Sequence, residues 1–153
     1  MTINRRKFVK ATIAGAAVAS AGPFFWPKGA AAANTVKVGA IYDLSGFLQG
    51  FGKNQWRCAK MAIDQINADG GLLGKKLEVK LYDSQSKMQY YNQFANQMAM
   101  RDRVAVVQGG LTSSSREVAR PILHKLKTLY IYNTNYEGGV CDRNIFAAGS
   151  MPG

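Results

Sequence analysis

Seven residues near the middle of the chain, Gly109-Gly110-Leu111-Thr112-Ser113-Ser114-Ser115, carry the densest set of groups able to bind a small polar molecule. They follow the apolar run Val104-Ala105-Val106-Val107, which reads as a buried parallel strand because it is short, continuous and bounded by glycine. Ser114-Ser115-Arg116-Glu117 has capping-box spacing, so a helix is expected from Ser115 onward. A strand thus ends, two glycines let the backbone turn closely, and hydroxyl groups crowd a helix N-terminus. Unpaired N–H groups and the positive end of the helix dipole converge there. That chemistry suits a carboxylate, an amide or a phosphate.

Other residues with reactive side chains group less well. Asp43 and Asp83 could form a carboxylate pair, but aspartate also serves in turns and helix caps. The single histidine, His124, is expected in mid-helix, away from the strand ends, so no Ser-His-Asp arrangement is suggested. It has no ligand-spaced partners for a metal. Gly70-Gly71-Leu72-Leu73-Gly74 precedes a strand instead of following one and is not a dinucleotide fingerprint. There is no phosphate-loop Gly-Lys-Ser/Thr. The residues therefore point to binding, not to an enzyme, with no cofactor and no metal. Cys58 and Cys141 are the only cysteines. One intramolecular disulfide between them is possible in an oxidising compartment, and their spacing does not decide whether they meet.

These residues need elements to position them, and the hydrophobic pattern supplies strands alternating with helices. Strands are expected over 36–42, 76–82, 104–108, 128–132 and 144–148. Helices are expected over 54–68, 89–101 and 115–127. Ala59, Ala62, Ile63 and Ile66 form the inward stripe of the first helix; Tyr91, Phe94, Ala95 and Met98 that of the second; Ala119, Ile122, Leu123 and Leu126 that of the third, which Pro121 should kink or distort. Leu77, Val79 and Leu81 alternate with Lys76, Glu78 and Lys80, so the second strand should be an edge with one solvated face. The result is an α/β fold: a doubly wound parallel sheet in 2-1-3-4-5 order with right-handed crossovers. Ligands bind such sheets beyond the carboxyl ends of the strands. Four loops lie there: Asp43 to Gly46, Asp83-Ser84, Gly109 to Ser114, and Asn133 to Glu137.

The chain has 153 residues, enough for one domain or part of a larger one, and is 47% apolar and 19% charged, as in ordinary globular proteins. Its net charge of +11 is partly local. Arg5, Arg6, Lys7, Lys10 and Lys28 lie in the first 33 residues, which hold no acid; the remainder carries 15 basic and 9 acidic groups. Those are scattered, with no basic helix or aromatic platform, so nucleic-acid binding is not indicated. Residues 1–33 read as a targeting segment: a basic start, a mild apolar run from Ala11 to Trp26, then Gly29-Ala30-Ala31-Ala32-Ala33. The run is too weak and interrupted to span a bilayer stably. Arg5, Arg6 and Phe8 within Asn4-Arg5-Arg6-Lys7-Phe8-Val9-Lys10 resemble a twin-arginine export signal. The rest, 34–153, is expected as a soluble periplasmic domain, brought there by the twin-arginine translocase.

Four segments together resemble the type I, leucine-binding-like group of periplasmic solute-binding proteins of ABC transporters. They are Val36 to Gly46, Ala62 to Leu77, Thr112 to Arg116, and Tyr136-Glu137-Gly138. The last, with Arg143-Asn144-Ile145-Phe146, looks most like the urea- and amide-binding branch. That branch usually has an aromatic residue where this chain has Leu111, which leaves an amino acid or another small amide open. The resemblance implies capture of a small polar solute and its delivery to an ABC permease; a periplasmic sensing domain is the alternative. It also implies ligand contacts from Thr112 and Ser113, from Asn135 and Tyr136, from Leu111 beside them, and from Ser45 at the rim. Family members trap ligand between two lobes. This chain matches most of the opening part of the first lobe, and weak ligand binding is expected of it alone.

Overall fold

The computed structural model describes residues 34–149. The export signal of Arg5, Arg6 and Phe8 lies outside the described residues.

Five parallel strands form one sheet. They are β1 (Thr35–Tyr42), β2 (Lys76–Asp83), β3 (Val106–Gly109), β4 (Leu129–Tyr132) and β5 (Ile145–Ala147), in the order β2-β1-β3-β4-β5. The helices are α1 (Gln49–Ala68), α2 (Met88–Asn96, continuing as a π-helical turn over Gln97–Asp102) and α3 (Ser113–Lys125). The register runs from Thr35 against Lys76 to Tyr42 against Asp83 on one side of β1, and from Val38 against Val106 on the other. The chain reverses its direction of travel across the sheet after β2, so right-handed crossovers put α1 on one face and α2 and α3 on the other.

The α2/α3 face holds the core. Ile41, Val107, Tyr130 and Tyr132 of the sheet pack with Tyr91, Ala95 and Met98 of α2 and with Ala119 and Leu123 of α3, all buried. The inward stripes expected for these two helices are the ones used, with Phe94 and Ile122 partly covered beside them, except that Leu126 lies past the end of α3 and outside the core. Pro121 lies inside α3, which runs through it to Lys125.

The α1 face differs from expectation. Of the expected stripe, only Ile63 is fully buried, and Ala62 is exposed. On β2, Leu81 is exposed while Tyr82, on the charged side of the alternation, stacks on Phe94 at 4.7 Å. Both faces of this edge strand are therefore half-covered, because α1 is the sole described helix on its side and does not reach over Leu81.

Three further boundaries moved. Helix α1 starts at Gln49 instead of Asn54, despite Gly50 and Gly52, which disfavour helix. Gly52 is there for contact: a methyl group at its Cα would collide with the backbone of Asp43. Strand β3 starts at Val106, because Val104 closes the π turn through Met98 O (3.2 Å) and Ala105 bonds Lys37 O (2.9 Å). Helix α3 starts two residues early, at Ser113, because the capping box is Thr112 with Ser115, not Ser114 with Glu117.

Candidate ligand-binding site

The carboxyl ends of β1, β3 and β4 converge, and the loops there are held by directed hydrogen bonds. Asp83 accepts from the Ser45 hydroxyl at 2.6 Å and from the N–H groups of Leu44, Ser45 and Gln85 at 3.0, 3.1 and 2.9 Å. Burial alone would raise its carboxyl, but these donors hold it below the ordinary carboxylate value. Asp43 is buried and accepts from the Ser84 hydroxyl at 2.6 Å and the Tyr91 phenol at 2.9 Å. Burial pushes the Tyr91 phenol up, so it stays a donor. The two aspartates thus serve separate networks that join distant loops, Asp83 holding the β1 loop and Asp43 bonding Ser84 and Tyr91; only the Gln85 N–H contact of Asp83 is a local turn bond.

The glycine-hydroxyl loop is fixed from behind by β4. The carbonyls of Gly109, Gly110 and Leu111 accept from the hydroxyls of Tyr130 (3.2 Å), Thr134 (2.8 Å) and Tyr132 (3.1 Å). Gly110 N–H bonds Ile41 O at 3.0 Å. Gly109 has φ +118°, and a side chain there would strike the Ile41 carbonyl.

The capping box then disposes of two helix-start donors. Ser115 N–H donates to Thr112 Oγ1 at 3.1 Å, and Thr112 N–H donates to Ser115 Oγ at 3.2 Å. The N–H groups of Ser113 and Ser114 keep no acceptor among the described residues. The Thr112 hydroxyl accepts from the helix and retains its proton as a donor.

Beside this loop lies an open pocket of about 510 Å³, lined by Leu48, Phe51, Asn54, Gln55, Leu111, Thr134 and Asn135. Of the six residues singled out in the sequence, Leu111 and Asn135 line it. Thr112 and Ser113 stand at the adjoining helix start. Ser45 is turned to Asp83, and the Tyr136 phenol accepts from Val140 N–H at 2.6 Å. The lining residues that the sequence did not single out are Leu48, Phe51, Asn54, Gln55 and Thr134: Leu48 and Phe51 precede the helix start expected at Asn54, whereas Asn54 and Gln55 fall in its expected first turn and Thr134 in the expected loop after the fourth strand. Phe47 and Phe51, two aromatics four residues apart between the first strand and the expected helix, were the available signal; Phe47 precedes α1 and Phe51 lies in its first turn, 94% and 67% exposed.

His124 lies in the last turn of α3, not in mid-helix, and its Nδ1 is 2.8 Å from Asp142. About 16 Å of helix separates it from Ser113, so His124 is no base for the hydroxyls at the other end of α3. No group of three metal-capable side chains occurs among the described residues. Cys58 and Cys141 are free, exposed thiols, not a disulfide.

Residues 36–153 match the family model described as the periplasmic binding protein domain. The chain belongs to this family. The Leu/Ile/Val-binding protein of Escherichia coli K12 is 33% identical over 92 residues, which is 60% of this chain and 25% of that protein. The leucine-, isoleucine-, valine-, threonine- and alanine-binding protein of Pseudomonas aeruginosa is 35% identical over 91 residues, 60% of this chain and 24% of its own. Among solved structures, the branched-chain amino acid transporter substrate-binding protein LivJ from Streptococcus pneumoniae, in complex with isoleucine, superposes with a TM-score of 0.63 at 30% identity. That match covers 64% of this chain and 28% of that one. The chain spans about a quarter of the length of the curated relatives it matches. The α/β lobe expected from the sequence is the fold these binding proteins share.

Proposed function

We propose that the chain forms one wall of the ligand site of an amino-acid-binding protein serving an ABC permease. The observation carrying this reading is the pairing, at one sheet end, of open donors with an apolar pocket. The Ser113 and Ser114 N–H groups and the Thr112 hydroxyl suit a carboxylate. Leu48, Phe51 and Leu111 beside them suit an aliphatic side chain. A hydrogen bond to a charged acceptor contributes roughly 1.5–3 kcal/mol. Urea offers neither a carboxylate nor an apolar tail, so an aliphatic amino acid fits this wall better than urea or a small amide. The names of the relatives point the same way.

The test is a titration of the 153-residue chain with L-isoleucine, acetamide and urea, followed by amide NMR shifts. Isoleucine should shift the Ser113 and Ser114 amides, with an affinity weaker than micromolar because one wall acts alone. Equal or larger shifts from urea would overturn the assignment.

Residues 1–33 are proposed as a leader that the twin-arginine translocase recognises through Arg5, Arg6 and Phe8, placing residues 34–153 in the periplasm as a partial lobe. No helix among the described residues is long and apolar enough to cross a membrane. Replacing Arg5 and Arg6 together by lysine should retain the protein in the cytoplasm of a fractionated cell; unchanged export would remove that route.

A further inference from the structure

We infer that Arg116, which does not line the pocket, is a positioning residue of the ligand site, acting through Tyr136 and Glu137 on Asn135. The inference rests on the reading of the site proposed above.

Arg116 sits in the first turn of α3 with only 5% of its side chain exposed. Its guanidinium carbon lies 5.0 Å from the Tyr132 ring centre and 5.2 Å from that of Tyr136. Its Nε donates to Glu117 Oε1 at 3.0 Å and its Nη1 to Glu137 Oε2 at 3.1 Å. Glu117 is itself fixed, since its other oxygen accepts both Nε and Nη2 of Arg120 at 3.0 and 2.7 Å. The buried cation therefore ties the well-anchored α3 to the loop after β4.

The loop is gripped on both sides of Asn135. Before it, Thr134 donates to Gly110 O at 2.8 Å and accepts from Gln55 Nε2 at 2.9 Å. After it, Tyr136 lies on Arg116 and closes its own loop by accepting from Val140 N–H at 2.6 Å, and Glu137 pairs with the same guanidinium. Asn135 is the pocket-lining residue between the two grips. The Arg116–Glu137 pair adds little stability by itself, because the Glu137 carboxylate is exposed to water. A planar fork stacked on aromatic rings is a good way to fix a loop in one place. The geometry thus assigns Arg116 to holding the rim of the pocket, not to strengthening the core.

The experiment uses the 153-residue chain with Arg116→Met, Arg116→Lys and Glu137→Gln. Three quantities are read: amide hydrogen exchange along the chain, thermal midpoint, and isoleucine-induced amide shifts. Glu137→Gln alters an exposed carboxylate and guards against a folding defect in the arginine variants. The expected result is exchange at least tenfold faster over residues 135–140 in Arg116→Met, with a smaller increase in Glu137→Gln. Protection in β1, β3 and α3 should stay as in the parent, and isoleucine affinity should fall about fivefold. Arg116→Lys should not restore protection, because an ammonium lacks the fork. Unchanged exchange over 135–140 in both Arg116→Met and Glu137→Gln overturns the inference, whether or not isoleucine binds. So does a uniform rise across the whole sheet, which would mark Arg116 as merely structural. Absence of isoleucine binding in the parent chain, with the local exchange effect present, counts against the ligand assignment and leaves the placement of Asn135 by Arg116 standing.

Discussion

Thr112 caps α3 and, in the proposed site, also donates to the ligand, and Thr112→Ala removes both at once. Its oxygen caps α3 by accepting from Ser115 N–H, and its proton stays available to a ligand. Thr112→Ala should therefore cost about 1 kcal/mol of stability as well as several-fold in isoleucine affinity. Thr112→Ser keeps both the cap and the donor and should retain both; urea denaturation and NMR titration of the two variants check this. Glycine offers a second contrast of neighbours. At Gly52 a methyl group would meet the backbone of Asp43, whereas at Gly50 nothing lies within 4 Å. Gly52→Ala should destabilise by roughly 1–3 kcal/mol through overpacking. Gly50→Ala, inside a helix and unobstructed, should stabilise by about 0.5–1 kcal/mol. Calorimetry would give opposite shifts in the thermal midpoint if α1 begins at Gln49. Equal behaviour of the two would mean that the helix begins after Gly52.

At the scale of elements, the long connection from β4 to β5 is secured at its far end by Asp142. This carboxylate has 3% of its surface exposed. It accepts from Asn144 N–H at 2.9 Å, pairs with His124 Nδ1 at 2.8 Å, and accepts from Arg120 Nη1 at 3.3 Å. Burial alone would raise its pKa, but the Asn144 amide, His124 and Arg120 together hold it below the ordinary carboxylate value. The folded state then binds the Asp142 proton less readily than the unfolded chain. The stabilisation is present above the unfolded carboxylate pKa and is lost as pH falls through the lower folded value. Asp142→Asn should accordingly be less stable than the parent at pH 6, with the gap narrowing as pH drops below about 4. Urea midpoints measured for both proteins across that range check it, and a gap that stays constant would show that the charge of Asp142 does not matter. Helix α3 is the element on which both ends of this loop depend. It carries the capping box at one end, Arg116 and Arg120 along one side, and His124 at the other end. Its buried anchor is Leu123, so Leu123→Ala should cost about 2–5 kcal/mol.

For the whole molecule, the site is a property of the end of a sheet and not of any one motif. Reading strands and helices from hydrophobic period recovered the sheet order and parallel pairing. The reason is that a central strand, apolar on both faces, is distinguishable from an edge strand such as β2. The positions of the loops followed, because a parallel sheet puts all its strand ends on one side. The sites inside those loops were less legible. Ser45 and Tyr136 have side chains apt for binding, yet both are taken up by partners distant in sequence or by the loop itself: Asp83 for Ser45, Arg116 and Val140 for Tyr136. Phe51 was hidden because glycines at 50 and 52 argue locally against a helix that tertiary contact nevertheless imposes, whereas Asn54 and Gln55 lay within the expected helix and only the folded arrangement places them at the pocket.

What the sequence determined by itself was the periodic and compositional part: strand and helix identity, the parallel order, the glycine-hydroxyl turn, and the family resemblance. These depend on neighbours along the chain, so they are visible there. What only the tertiary structure decided was the assignment of partners. Three β4-side hydroxyls claim the three carbonyls of the Gly109–Leu111 turn, and Thr112 instead of Ser114 caps α3, which leaves the Ser113 and Ser114 amides open. Hydrogen-bonding groups far outnumber the geometries that satisfy them all. Which donor meets which acceptor is therefore settled only when the sheet brings distant loops to one place.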